Sequence, residues 1–182
     1  MIVDHTFEKL SELNDTEFEH CTFSNCQFSS MDLSNTSLES CVFINCDLSN
    51  SRLTNTSLKT VSFKHCKLLG VHFEDCNSFL LSLSFENCTL NISSFYQLNL
   101  KSTPFINCAL HEVDFTETNL VEARFHECDL TAAIFENSNI EKADFRTSSN
   151  YVIRPDMNRV KGARFSADKL AGLLYHHQIK IS

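Results

Sequence analysis

Large apolar residues recur at every fifth position of this chain. From Leu13 to Phe73 each fifth residue is Phe or Leu, and from Leu80 to Phe145 each is Phe, Leu or Ile. Two residues before most of them sits a small or medium side chain, as at Thr16, Cys21, Cys26, Thr36, Ala123, Cys128 and Ala133. A period of five matches neither the 3.6 of an α-helix nor the 2 of a strand. It suits a chain that turns a corner every five residues, so that four pentapeptides close one square coil of twenty. Successive coils would pair through backbone hydrogen bonds about 4.8 Å apart, each burying the large residues of its neighbours.

Two longer ladders support this reading. Phe23, Phe43 and Phe63 step by twenty, and so do Phe85, Phe105, Phe125, Phe145 and Phe165, but the two series are offset by twenty-two. Cys26, Cys46 and Cys66 are followed by Cys88, Cys108 and Cys128 with the same offset. The shared slip places two extra residues in one corner near 74–79, where a bulge is expected in preference to a protruding apolar contact, with Phe79, Leu80, Leu81 and Leu83 at or just after it. Glycine is nearly absent, so other residues must form the corners. Asn25, Asn35, Asn45, Asn50, Asn55, Asn87, Asn107 and Asn137 each lie two after a central residue. Asn tolerates left-handed backbone and is the expected turn residue.

The stretches CDLSN, VDFTE, TNLVE, CDLTA and ADFRT resemble the repeats of the pentapeptide-repeat proteins. The resemblance implies an all-β fold, a right-handed quadrilateral β-helix with a short C-terminal α-helix. The expected organisation is an N-terminal cap over residues 1–12, the β-helix over 13–165, and a capping or dimerising helix and tail over 166–182.

The nine cysteines invite a redox or zinc reading that their spacing opposes. Eight fall at the small position before a central residue, and Cys76 would too if the first register ran one step further, with no CxxC pair and no Cys/His cluster at zinc spacing. Buried structural thiols are expected, since free Cys behaves as a small hydrophobe.

Charge is unevenly divided. Counting Asp, Glu, Lys and Arg, residues 1–50 carry net −8, 51–109 net +2, 110–145 net −7 and 146–182 net +5. In the repeats these charges fall on outward positions. Either they only solvate the coils, or they form an anionic rod for a basic partner. Roughly seven to eight coils at about 4.8 Å make a rod near 36 Å long. B-DNA of that length carries about twenty charges, so any mimicry of DNA is partial and concentrated in the two acidic blocks. Direct binding of nucleic acid is disfavoured by the net −8.

After Phe145 the pattern decays through TSSNYVIRPDMNRV and returns at GARF. Ser166 is placed to cap a helix, with Asp168 in its first turn. Ala167 to about His177 reads as that helix, and Ile179-Lys180-Ile181 alternates like a strand. A helix this short needs packing partners. Part of its apolar face is expected to cover the last coil, and Leu170, Leu173, Leu174, Tyr175 and Ile179 are the candidate interface of a two-fold homodimer.

The decayed coil followed by this tail is similar to the quinolone-resistance (Qnr-type), mycobacterial fluoroquinolone-resistance and microcin-immunity branch of the family. That narrower resemblance implies a DNA mimic that binds DNA gyrase or topoisomerase IV and protects it from quinolones or a gyrase-poisoning toxin. Its partner-binding surface would be acidic: Glu17, Glu19 and Asp32, then Glu112, Asp114, Glu117, Glu122, Glu127 and Asp129. The chain departs from the branch in lacking long projecting loops and in having a basic tail. The competing reading is an interaction scaffold for an unrelated protein.

An enzyme is not expected, because no nucleophile, base and orienting group emerge together and the Phe and Leu ladders fill the interior. No cofactor or metal is expected. The first ten residues lack a basic n-region and an apolar run, and no stretch is long enough to span a membrane, so the cytoplasm is the expected location.

Overall fold

Short strands and single left-handed corner residues build the fold, which this computed structural model describes for residues 1–179. The corners take φ near +55°, among them Asn25 (55°), Asn45 (54°), Asn87 (54°) and Asn107 (50°). Asn visits this region more readily than most residues because its short polar side chain bonds locally. Stacked corner amides also bond one another: Asn55 Nδ2 donates to Asn35 Oδ1 at 2.9 Å and Asn107 Nδ2 to Asn87 Oδ1 at 2.6 Å.

The result is a right-handed parallel β-solenoid with four faces. Face A contains β1 (Ile2–Val3), β3 (Glu17–Glu19), β5 (Ser37–Glu39) and β7 (Ser57–Lys59), stacked in that order. Face B contains β2 (Thr6–Glu8), β4 (Thr22–Ser24), β6 (Val42–Ile44), β8 (Val61–Lys64), β9 (Leu83–Glu86), β10 (Pro104–Ile106) and β11 (Arg124–His126). Its register aligns Phe7, Phe23, Phe43, Phe63, Phe85, Phe105 and Phe125. Faces C and D are joined by parallel bridges such as Asp47↔Lys67 and Ser94↔Asp114.

Two phenylalanine stacks fill the interior. The face B rings lie parallel, with centroids 4.7 Å apart for Phe23 and Phe43 and again for Phe125 and Phe145. On face D, Phe73, Phe95, Phe115 and Phe135 form a second stack. The stacks meet edge to face, as between Phe85 and Phe95 at 5.8 Å and 74°, which is the favoured arrangement for ring quadrupoles. The inward small residues close the remaining polar gaps. Thr118 Oγ1 donates to Phe95 O at 2.8 Å and Ser148 Oγ to Phe125 O at 2.7 Å. Cysteines make the same contact: Cys88 Sγ reaches Phe63 O and Cys128 Sγ reaches Phe105 O, both at 3.3 Å. All nine thiols are free and buried. Burial raises Cys41 and Cys76 to a pKa of about 11.

The slip differs in detail from the register read by fives. Leu80 is not a central core residue: it is 63% exposed and takes the left-handed φ of 57°. Ser78 stands where face A needs its large residue, Phe79 and Leu80 take the outward and corner places after it, and the two extra residues, Leu81 and Ser82, precede Leu83, which turns inward beside Val61. Parallel bridges join Ser57 to Asn77 and Asn99 to Asn119, and none joins Asn77 to Asn99 among the described residues. Pro104 opens β10 in the same cleft and has no N–H to donate.

At the N-terminus the stack extends into the first twelve residues. Ile2 pairs with Phe18 and Phe7 with Phe23, a step of sixteen in place of twenty. The chain is shortened between Leu10, whose carbonyl accepts from Gln27 N, and Thr16, whose carbonyl accepts from Ser37 N.

At the other end a 3₁₀ turn (Ala167–Lys169), α1 (Ala171–Leu174) and a second 3₁₀ turn (Tyr175–His177) replace the single helix expected there. Ser166 makes no side-chain cap, because its hydroxyl is turned to the Asp168 carboxylate. The segment is held down by Ile153 N donating to Gly172 O at 3.1 Å and by Lys169 Nζ donating to Ser148 O at 2.8 Å. Of the expected terminal strand, Lys180 and Ile181 lie outside the described residues.

Candidate partner-binding surface

Each pentapeptide projects three residues outward, and its place in the square decides which face they serve. Glu17 and Glu19 flank Phe18 on face A, and Asp32 precedes Leu33 on face D. The later block wraps a single coil. Glu112, Glu117, Glu122 and Glu127 occupy its four corners, with φ of 56°, 56°, 60° and 53°. Asp114 lies on face D and Asp129 on face C. The nine acidic residues therefore form no single contiguous face: those of the later block circle the rod as a belt. Glu17, Glu19, Glu117 and Glu122 share the border of face A, while Glu127 and Asp129 lie across the rod. Counting pentapeptides in fours from Phe18 separates these groups.

Several of these carboxylates are already engaged. Asp32 pairs with Arg52 at 3.1 Å, Glu122 with Lys142 at 3.3 Å, and Glu117 accepts from Gln97 Nε2 at 2.7 Å. The Ser34 side chain and backbone, with Arg52 beyond them, hold Asp32 below the usual carboxylate range. At Asp129 burial pushes the pKa up, but donors from Asn150, Thr131 and His111 outweigh it and hold the group at about 2. Exposed pairs of this kind contribute little to stability. Their side chains stay on the surface and can be re-paired by a partner.

Sequence reasoning placed Phe79 and Leu80 at a bulge without placing them on a face. They project from face A between the two acidic groups, 68% and 63% exposed. The cleft beside them is lined by Thr60, Leu81, Ser82, Asn99, Lys101 and Pro104. Face B carries the opposite charge over its last coils, where Arg124, Asp144 and Arg164 stand in register and Arg146 pairs with Asp144 at 2.7 Å.

The candidate dimer residues divide. Leu173 packs against the core, Leu174 is half-buried, and Leu170, Tyr175 and Ile179 are exposed. Among the described residues no cluster of His, Cys, Asp or Glu could hold a metal ion, and no helix is long and apolar enough to cross a membrane.

Comparison with known proteins agrees with this geometry. A family model described as "Pentapeptide repeat region" matches residues 16–79 and 78–150. Among solved structures, a trypsin-treated variant of QnrB1, a plasmid-mediated fluoroquinolone resistance protein, superposes with a TM-score of 0.67 at 18% identity, over 100% of this chain and 97% of that one. HetL, a pentapeptide repeat protein involved in heterocyst differentiation regulation from the cyanobacterium Nostoc sp. strain PCC 7120, superposes with a TM-score of 0.64 at 15% identity, over 91% of this chain and 84% of that one. A search of curated protein sequences found no significant match.

Proposed function

The chain belongs to the pentapeptide-repeat family, and on that footing we propose that it binds a type II topoisomerase, DNA gyrase or topoisomerase IV, and protects it from a quinolone or a gyrase-poisoning toxin. The observation that carries this reading is the pair of acidic groups, Glu17 with Glu19 and Glu117 with Glu122, bordering one side of the stacked coils. A basic saddle built to hold DNA would meet them in place of phosphates. The likeness to a fluoroquinolone resistance protein along the whole chain supports the same partner class. Two copies associate in this proposal through Leu170, Leu174, Tyr175 and Ile179 at the C-terminal end, while Leu173 serves the cap. A two-fold pair of this kind shields the last coil's edge.

The test is supercoiling by purified gyrase, with and without a poison, across a titration of the protein. Inhibition or rescue is expected, weakening as salt rises because exposed charges are screened beyond about 10 Å at 0.1 M. Reversing Glu117, Glu122 and Glu127 to Lys is expected to abolish it with the fold intact. No effect on activity or on poisoning overturns the reading. Sedimentation as a monomer at micromolar concentration overturns the dimer.

A second reading, an interaction scaffold with an unrelated protein partner, is favoured by the comparable superposition on HetL. It is the reading left if gyrase is unaffected.

A further inference from the structure

Along face A the outward residues change character twice. Glu17, Glu19 and Glu39 occupy its N-terminal strands β3 and β5. Phe79 and Leu80 then stand out of the slip. Beyond them Glu117 and Glu122 mark the two corners of the coil that carries Leu120. We propose that face A is the contact face of this protein, and that the Phe79–Leu80 knob anchors it in an apolar pocket lying between two basic patches of a protein partner. This rests on the topoisomerase reading and names the part of the chain that would make the contact.

The knob is a fixed shape. Phe79 N donates to Asn77 Oδ1 at 2.9 Å and Leu81 N to Ser78 O at 3.3 Å, closing a tight turn at both ends. Such an anchor loses little conformational freedom when it is buried by a partner. The fold itself has no need of it. Leu80 occupies the left-handed backbone that Asn adopts at other corners, and it does so with its side chain in water. A branched apolar residue is disfavoured there on both counts.

The surroundings suit a protein pocket. Asn77, Ser78, Ser82, Asn99 and Ser102 are neutral and polar, and Lys59, which pairs with Glu39 at 3.6 Å, and Lys101 are the cations of the neighbouring coils on face A. A small apolar anchor whose polar surroundings exclude water once a partner covers them is the usual arrangement of a binding hot spot. The charges on either side decide what kind of surface can approach. Glu19 lies three coils from the knob and Glu122 two coils beyond it, about 14 Å and about 10 Å at the coil spacing. An anionic bilayer would be repelled by both groups, and so would a nucleic acid. A protein with cations on each side of an apolar pocket would be attracted and held in one register.

The experiment measures binding of the full chain to purified DNA gyrase at low and high salt, for wild type and three variants. In Phe79→Ser/Leu80→Asn the knob is removed with a corner residue that suits left-handed backbone, so the unfolding midpoint should hold or rise. Its affinity is expected to fall about tenfold or more at every salt concentration, with the salt dependence kept. Glu117→Lys/Glu122→Lys is expected to weaken binding and to flatten the salt dependence. Ile92→Ser, at an exposed corner between faces C and D, is expected to bind as wild type. Wild-type affinity in the knob variant overturns the inference and leaves the topoisomerase reading standing, as does an equal loss in Ile92→Ser. Absence of gyrase binding by the wild-type chain overturns that reading and the inference together.

Discussion

Phe105 and Phe125 lie with ring centroids 4.9 Å apart and planes 3° from parallel, each fully enclosed by the coils above and below. Phe105 also meets Phe95 and Phe115 edge to face at 5.9 and 5.8 Å. A ring held on four sides cannot be replaced by movement of its neighbours. Phe105→Ala is therefore expected to cost about 3–5 kcal/mol, read as a lower denaturant midpoint.

The thiols should react slowly with a thiol-specific probe in the native protein and quickly once it is unfolded, because burial controls access. Within the cysteine column, exchange for serine should be milder than exchange for valine. Ser148 already continues that column and donates to Phe125 O at 2.7 Å, as Cys128 Sγ does to Phe105 O at 3.3 Å. Cys128→Val leaves that carbonyl without its donor, and about 1 kcal/mol should separate the two variants in thermal or chemical unfolding.

Gly172 allows α1 to approach the decayed coil. A Cβ there would stand 2.0 Å from Tyr151 O and 2.9 Å from Tyr151 Cδ2. Backbone cannot yield as a side-chain tip does, so Gly172→Ala should lift the C-terminal segment at a cost of about 1–3 kcal/mol. Faster hydrogen exchange at Ile153, whose N–H bonds Gly172 O, is the local readout.

Acid should weaken the belt coil through Asp129. Its folded pKa of about 2 lies below the ordinary 3.8. The stabilisation is therefore present above the ordinary value and is lost as pH falls towards and through about 2. Asp129→Asn should flatten the acid limb of the stability–pH curve in that window, measured by unfolding midpoints.

The four corner glutamates should be replaceable with a gain in stability. Glu112 holds φ at 56°, a backbone that suits Asn better. Glu112→Asn is expected to raise stability by about 0.5 kcal/mol. A loss in the unfolding midpoint would mean that the carboxylate makes a stabilising contact at that corner.

The five-residue period was enough to recover the coil, its corners and the aligned rings, because each repeat poses the same packing problem to its neighbours. Leu80 defeated that reasoning. It lies five before Phe85 and so counts as central, yet two inserted residues must leave the coil somewhere, and spacing alone does not say which two. Leu83, three places on, went inside to rejoin the register beside Val61. The shortened first coil was invisible for a related reason: Leu13 keeps the period with Phe18, while Phe7 and Leu10 follow a step of sixteen. At Ser166 a local competitor won, since the nearby Asp168 carboxylate took the hydroxyl that would have capped the helix. The acidic residues were legible as outward from the start. Their separation around the rod needed only the pentapeptide count, because a corner's address is fixed by its number modulo four.

The missing bridge between Asn77 and Asn99 gives the rod a seam. Over most of the stack a load along the axis is shared by backbone bonds on every side of the coil, although among the described residues face D also has no bridge between Arg52 and His72. At the seam, face A contributes no parallel bridge, and Pro104 withholds a donor beside it. Stretched from its ends, this protein should open first along that side, like a hinged lid, with faces B, C and D acting as the hinge.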